Sequence, residues 1–252
     1  KTQGNFNNEL GVPLTILAAP EDSDILVLEM GADNFGQLDF LSKLVKPDYT
    51  IITNIGESHI EFFGSRAGIA KAKFEITNGM KKDGFFVYNG DEPLLKELVE
   101  NSSINATSCG ENSYNDIILE NYTITRDKID FKLNIDKNSF STTLKGKHNI
   151  FNIMFAVAIA KKISLTNEEI RHTIDNISKI TNMRLESITY AEDSLIINDA
   201  YNASPTSMKA AVDVISDLND FEFKTLVLGS MFELGPNEVE YHSRIGTYIN
   251  NN

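Results

Sequence analysis

The chain has 252 residues, with 23 Lys and Arg against 36 Asp and Glu, a formal net charge of −13 that leaves no general basic footprint for a nucleic acid or an anionic membrane surface. At roughly 150 residues per domain the length holds one large domain or one and a half. A hydrophobic fraction of 41% is too high for a disordered chain.

From the start of the chain, Asp24 to Glu29 reads as a buried strand and Leu38 to Leu44 as a helix stopped by Pro47. Tyr49 to Thr53 predicts the next strand, Ile69 to Ile76 a helix, Gly84 to Tyr88 a strand and Pro93 to Val99 a helix. Strand and helix alternating at this spacing imply an α/β fold, a mostly parallel sheet flanked by helices. Cys109 is the one cysteine; without a partner it forms no internal disulfide, and it reads as an inert thiol in a reduced, cytoplasmic setting. Ile117 to Thr125, then Ile129 to Ile135 in strict alternation of apolar with polar residues, then Ser139 to Leu144 read as antiparallel strands with one wet face. They form a small antiparallel subsheet.

Asn149 to Ile163 follows as an apolar helix, whose run Ile153 to Ala160 is too short to span a bilayer, so no membrane insertion is expected. Thr166 and Glu169 make a capping box for another helix. Leu185 to Tyr190 and Ser194 to Asp199 are strands, Ser204-Pro205 opens a helix to about Leu218, and Lys224 to Gly229 is a fresh buried strand. A domain boundary is placed near residues 200 to 206, dividing 1–200 from 201–252. The chain opens on Lys1 without a charged-then-apolar leader and closes on three asparagines, and reads as an internal piece of a longer protein.

Ligands of open parallel sheets lie beyond the carboxyl ends of the strands. Glu29, then Asn54, Glu57 and His59, and later Asp199 stand at such ends. Carboxylates and an imidazole gathered there suit Mg²⁺, which takes oxygen ligands and keeps waters and substrate phosphates. Singly, Glu29 also reads as a carboxylate at a helix N-terminus, His59 as a satisfied loop histidine and Asp199 as a turn former. No Gly-x-x-x-x-Gly-Lys-[Ser/Thr] occurs, and Gly146-Lys147-His148 is not one. A phosphate loop, where the protein has one, is expected upstream of Lys1.

Seven segments fall in one order: Lys1 to Thr15, Glu29-Met30-Gly31, Asn54 to His59, Ile69 to Lys73, Gly146-Lys147-His148-Asn149 with Asn152, Asp199 to Pro205, and Leu228 to Gly235. Together they resemble the Mur ligases of peptidoglycan synthesis. The form Asp-Ala-Tyr-Asn-Ala-Ser-Pro points to the branch that adds D-Ala-D-Ala to UDP-MurNAc-tripeptide. The resemblance implies a central ATPase domain and the first elements of a Rossmann-like C-terminal domain, working with ATP and Mg²⁺ through an acyl phosphate. The protein is expected to be monomeric, and these 252 residues alone, without the phosphate loop, to bind ATP poorly and not to ligate. A sibling or folylpolyglutamate-type ligase, or a nucleotide-binding module without ligation, are the alternatives. Ser230 stands where the family carries Asp, and no role is given to it.

The same resemblance implies the site residues. Glu29 and His59 match Mg²⁺ ligands, and Lys73, in Ala72-Lys73-Phe74-Glu75-Ile76, matches the lysine that the family carbamylates; Lys71 is its rival. A carbamate would offer Mg²⁺ anionic oxygens where an ammonium repels it. Asn149 and Asn152, one helical face apart by three residues, match asparagines that contact ATP, with His148 beside them as adenine contact or cap. Arg184, in Asn182-Met183-Arg184-Leu185, matches a phosphate-side arginine, and Asp199 the acceptor for ribose hydroxyls. Tyr201 and Asn202 follow at the hinge, and Thr2, Asn7 and Asn8 sit in the loop placed near the muramoyl-peptide. Phe62, Phe63, Phe85 and Phe86 are read as core and His172 as surface.

Overall fold

The computed structural model describes residues 1–177, 183–191 and 194–252. In chain order the elements are α1 (Gly11–Leu17), α2 (Gln37–Val45), β1 (Tyr49–Ile52), α3 (Ile60–Phe63), α4 (Arg66–Phe74), β2 (Phe85–Asn89), α5 (Pro93–Glu100), β3 (Ala106–Gly110), β4 (Ile117–Ile124), β5 (Ile129–Leu133), β6 (Phe140–Thr142), α6 (Lys147–Lys162), α7 (Asn167–Asp175), β7 (Glu186–Ala191), β8 (Ser194–Asn198), α8 (Pro205–Asp217) and α9 (Glu238–Asn250). One six-stranded sheet runs β1-β2-β3-β4-β5-β6, and β7 pairs with β8 separately. β1 to β4 pair in parallel, β4 to β6 antiparallel. The expected mostly parallel sheet with an antiparallel subsheet is present.

β2 shows why the sheet is covered on both faces. Its side chains alternate with period two: Phe85 and Val87 join the core under α6 and α7, while Phe86 and Tyr88 join the core with α4 and Leu95 of α5. Both faces are apolar, as a parallel strand between helix layers requires. On the antiparallel side, Ile129, Phe131 and Leu133 of β5 are buried between wetter neighbours. The Thr166 capping box opens α7, and Ser204 with Pro205 opens α8.

Two predicted strands are corrected. Residues 24–29 and 224–229 join no sheet ladder, and Ile25, Val27 and Val227 are 63%, 61% and 93% exposed. Apolarity alone makes no strand, because the backbone needs a neighbouring ladder, and neither run has one among the described residues. The backbone of residues 27–31 bonds to the first loop, where Thr2 N donates to Val27 O at 3.0 Å and Gly31 N to Asn7 O at 2.8 Å, while Leu28 and Met30 pack against Val12, Leu38 and Leu41. Phe62 is 49% exposed rather than core, whereas Phe63, Phe85 and Phe86 are buried and His172 is exposed as read. Cys109 is fully buried in β3, and burial pushes its thiol up to about 12. No described helix is long and apolar enough to cross a membrane.

Candidate active site

A cleft of about 1020 Å³ opens beyond the carboxyl ends of β1, β2 and β3, bounded by Thr53 and Asn54, Asn89, and Glu111. Lys73, His148, Asn149, Asn152, Arg184 and Asp199 all line it. Glu29, His59, Tyr201, Asn202, Thr2, Asn7 and Asn8 lie outside its lining.

α4 delivers Lys73. Ser65 caps its first turn, and Ile69, Ala70 and Ala72 are buried against the sheet, which leaves Lys71 exposed and Lys73 half-buried. Burial lowers the pKa of the Lys73 ammonium, and the Glu29 carboxylate partly offsets this. Lys73 rather than Lys71 therefore faces the cleft, with Glu29 as its electrostatic neighbour.

Glu29 is held by the first loop. Its backbone N–H donates to Thr2 Oγ1 at 2.9 Å, and its Oε1 accepts from Asn7 Nδ2 at 2.9 Å. Thr2 and Asn7, expected near a peptide substrate, are thus the supports of Glu29. Asn8 does something else: its Oδ1 accepts from Leu10 and Gly11 N–H at 3.2 and 2.9 Å and starts α1. His59 begins α3 in the left-handed region, φ 61, with Nδ1 against the Glu233 carboxylate. Nearby Asp33 has its carboxyl held below the usual carboxylate range, first by the Gln37 amide and least by the charge of His59.

Among the described residues no three His, Cys, Asp or Glu side chains are grouped to hold a metal ion, so a closed protein cage does not fit. An ion completed by waters and phosphate oxygens needs only one or two protein carboxylates. Glu29, whose Oε2 carries no hydrogen bond among the described residues, fits that demand.

The opposite wall is built by the start of α6. Gly146, φ 85 and ψ 139, turns the chain into the helix, and the His148 ring packs over it next to Val214. Burial lowers the pKa of His148, opposed by Asp199 and Asp213, so the ring is neutral near pH 7. Asn149 Nδ2 donates to Lys145 O at 2.7 Å and faces His148 Nε2 at 3.3 Å, so Nε2 accepts and Nδ1 carries the proton. No capping hydrogen bond involves His148. Asn152 Nδ2 donates to Asn149 Oδ1 at 3.0 Å. The pair is therefore unequal: Asn149 spends both donors inside the protein, and exposed Asn152 keeps a free amide edge.

The β7–β8 hairpin brings the last residues together at its open end. Asp199 Oδ1 accepts from Leu185 N–H at 3.0 Å, Tyr201 N–H donates to Met183 O at 3.2 Å, and the Arg184 guanidinium lies 4.2 Å from the Tyr201 ring centre. Asn202 Oδ1 accepts from Ala203 N–H at 2.8 Å. Asn182, which accompanies Arg184 in the sequence, lies outside the described residues.

Lys147 is a cleft residue that sequence reasoning passes over. Its ammonium pairs with Glu111 at 2.9 Å and lies 5.3 Å from the Tyr122 ring centre; burial lowers its pKa, but the Glu111 contact outweighs this and the net shift is upward. Glu111 follows the carboxyl end of β3, so the strand-end rule would have found it had Ala106–Gly110 been read as a strand. Glu57 was visible at a strand end, and its Oε2 accepts from Thr206 N and Oγ1 at 3.2 and 2.7 Å.

Known proteins resemble this chain along nearly its whole length. The family description Mur ligase middle domain matches residues 1–160, and Mur ligase, glutamate ligase domain matches residues 183–252. A UDP-N-acetylmuramoyl-tripeptide–D-alanyl-D-alanine ligase of Bacillus subtilis strain 168 is 45% identical over 99% of this chain and 54% of its own. The enzyme of that name from Escherichia coli K12 is 33% identical over 97% and 54%. MurF from Acinetobacter baumannii superposes with a TM-score of 0.93 at 31% identity, covering 100% of this chain and 55% of its own. MurF ligase from Thermotoga maritima in complex with ADP gives 0.86 at 27%, covering 99% and 57%. The chain spans about half the length of these relatives. With both family descriptions matched along it and the cleft residues gathered at the sheet edge, the chain belongs to the Mur ligase family.

Proposed function

We propose that the protein containing this chain is a cytoplasmic, monomeric, ATP-dependent ligase that joins D-Ala-D-Ala to UDP-MurNAc-tripeptide in peptidoglycan precursor synthesis. The observation that carries this reading is the single cleft lined by Lys73, His148, Asn149, Asn152, Arg184 and Asp199. The names of the relatives and the ADP bound by the Thermotoga protein support it. Residues 1–200 would form the central ATPase unit and 201–252 the start of the next, with Tyr201 and Asn202 at the hinge.

In this reading a carboxylate oxygen of the tripeptide attacks the γ-phosphorus of ATP and expels ADP. The amine of D-Ala-D-Ala then attacks the acyl phosphate, and collapse of the tetrahedral adduct forms the amide and releases phosphate. Bound Mg²⁺ supplies positive charge between anions that otherwise repel. The chain's own residues place the reactants. Arg184, stiffened by Tyr201, offers a guanidinium fork to phosphate oxygens. The free edge of Asn152 meets the purine, with neutral His148 and the tethered Asn149 behind it. The second oxygen of Asp199 accepts from ribose hydroxyls. Thr2 and Asn7 hold Glu29 toward the metal, and with Asn8 they line the approach of the peptide.

Lys73 acts as the carbamate. Its burial favours the neutral amine, the form that adds to CO₂, giving a carbamate and a proton. The sign of the charge beside Glu29 reverses, and an ammonium that would expel the ion becomes a ligand.

The test is product formation by the protein at its full natural length, with ATP, Mg²⁺, UDP-MurNAc-tripeptide and either D-Ala-D-Ala or single amino acids. Pentapeptide product with the dipeptide alone is the expected result. Product with a single amino acid would move the assignment to a sibling or folylpolyglutamate-type ligase. A folded protein that binds Mg²⁺-ATP and ligates nothing would leave a nucleotide-binding module.

A further inference from the structure

We propose that Glu233, from the C-terminal part of the chain, is the positioning residue for the His59 imidazole. The Glu233 carboxylate meets His59 Nδ1 across 174 residues of sequence. A carboxylate accepts only, so Nδ1 carries the proton and the lone pair is confined to Nε2, which makes no hydrogen bond among the described residues. The contact is part of a built seam. Glu61 N–H donates to Glu233 O at 3.1 Å, next to the Glu57 carboxylate that receives Thr206 N and Oγ1.

The backbone supports the same assignment. His59 has φ 61 and Glu233 φ 59, both in the left-handed region that side chains other than glycine avoid, and such strain persists where surroundings over-determine it. Two strained residues facing each other, each aiming a polar side chain at the other, are more than a surface ion pair requires. Their side chains are 38% and 43% exposed, so the pair adds little stability by itself. Its effect is orientation: the ring is fixed only while residues 206 and 233–235 sit against residues 57–61.

This inference rests on the reading of His59 as a metal-side residue, and two readouts separate the two. The first is the ¹⁵N spectrum of histidine-labelled full-length protein at a pH of about 8, above the usual histidine range, with the His59 signals identified by H59N. Wild type is expected to show one tautomer with the proton on Nδ1, E233A a mixture, and E233Q, whose amide oxygen still accepts, the wild-type pattern. An unchanged tautomer in E233A overturns the proposal. The second readout is Mn²⁺ binding in the presence of ATP, followed by electron paramagnetic resonance. E233A is expected to weaken it about tenfold, and H59N/E233A to bind no more weakly than H59N, since Glu233 acts through His59. Losses that multiply in the double variant also overturn it. H59N binding Mn²⁺ as wild type does would refute the metal role of His59, and the tautomer would still decide whether Glu233 orients the ring.

Discussion

Replacing Gly146 by Ala tests whether the cleft wall is built as described. Gly146 has φ 85 and ψ 139, a conformation that costs a residue with a side chain about 1–3 kcal/mol. A Cβ there would also sit 2.6 Å from His148 Cε1, 2.8 Å from its Nδ1 and 2.8 Å from Val214 Cγ2, well inside the carbon contact distance of about 3.5 Å. Because Val214 is buried in α8, the His148 ring gives way, and such overpacking adds about 1–3 kcal/mol. Together these come to about 2–6 kcal/mol, which lowers Tm by about 4–24 °C at this size. Gly36→Ala is the control, since φ is again 85 but a Cβ meets nothing within 4 Å; it should cost about 1 kcal/mol. Thermal melting gives the difference between the two variants, and calorimetry of full-length protein with Mg²⁺-ATP should show affinity lost about tenfold, or about 1.4 kcal/mol, in G146A only. Equal melting shifts for the two variants, or undiminished nucleotide affinity in G146A, would refute the packing of His148 over Gly146.

The other predictions address the remaining groups. N149A should cost about 1 kcal/mol of stability in urea unfolding as well as nucleotide affinity, because its donors hold Lys145 O and His148, whereas N152A should lose affinity alone. Full-length protein in ¹³C-bicarbonate should show a carbamate carbon resonance that K73A lacks; the lowered ammonium pKa keeps the reactive amine available at lower pH than a surface lysine allows. Asp91 accepts from Glu111 N, from Asn112 Nδ2 and from Asn115 Nδ2 at 2.6 to 2.7 Å. Burial works to raise its pKa and these bonds outweigh it. Its stabilisation is thus complete above the ordinary value of 3.8 and is lost as pH falls through the lower folded value, and D91N should flatten that acid limb of a pH-dependent urea titration.

How much of this was legible depends on the range of the forces involved. α6 was readable because it is apolar on most sides, and β2 because Phe85 to Tyr88 is too apolar for anything but a strand between two layers. β3 was not: Ala106-Thr107-Ser108-Cys109-Gly110 has small side chains and little strand preference, and it is a strand because β2 and β4 flank it. The reverse error came at residues 24–29 and 224–229, where strong local preference lacks a neighbour. At the site, the strand-end rule reached Glu29, His59 and Asp199, yet no periodicity could reveal that Thr2 and Asn7 hold Glu29 or that Asn149 is already bonded. Those facts depend on side-chain direction, which the pattern of residue types does not encode.

The distribution of contacts across the seam carries a mechanical consequence. The core of the C-terminal part is small, with Met208, Met231, Leu234 and Ile245 buried together, and from the central part Ile60 is the residue that packs against it. Beside it run polar contacts, Glu57 with Thr206, His59 with Glu233, and the Glu61 N–H with Glu233 O, and at the start of α6 buried Val214 lies against Gly146 and His148. Polar contacts of this kind exchange for water at little net cost, and relative motion is the ordinary behaviour of an interface built largely from them. Meanwhile the cleft draws Lys73 from one side and Ser204, Thr206 and Asp213 from the other. Opening the seam therefore separates the walls of the cleft and releases the His59 ring in one movement.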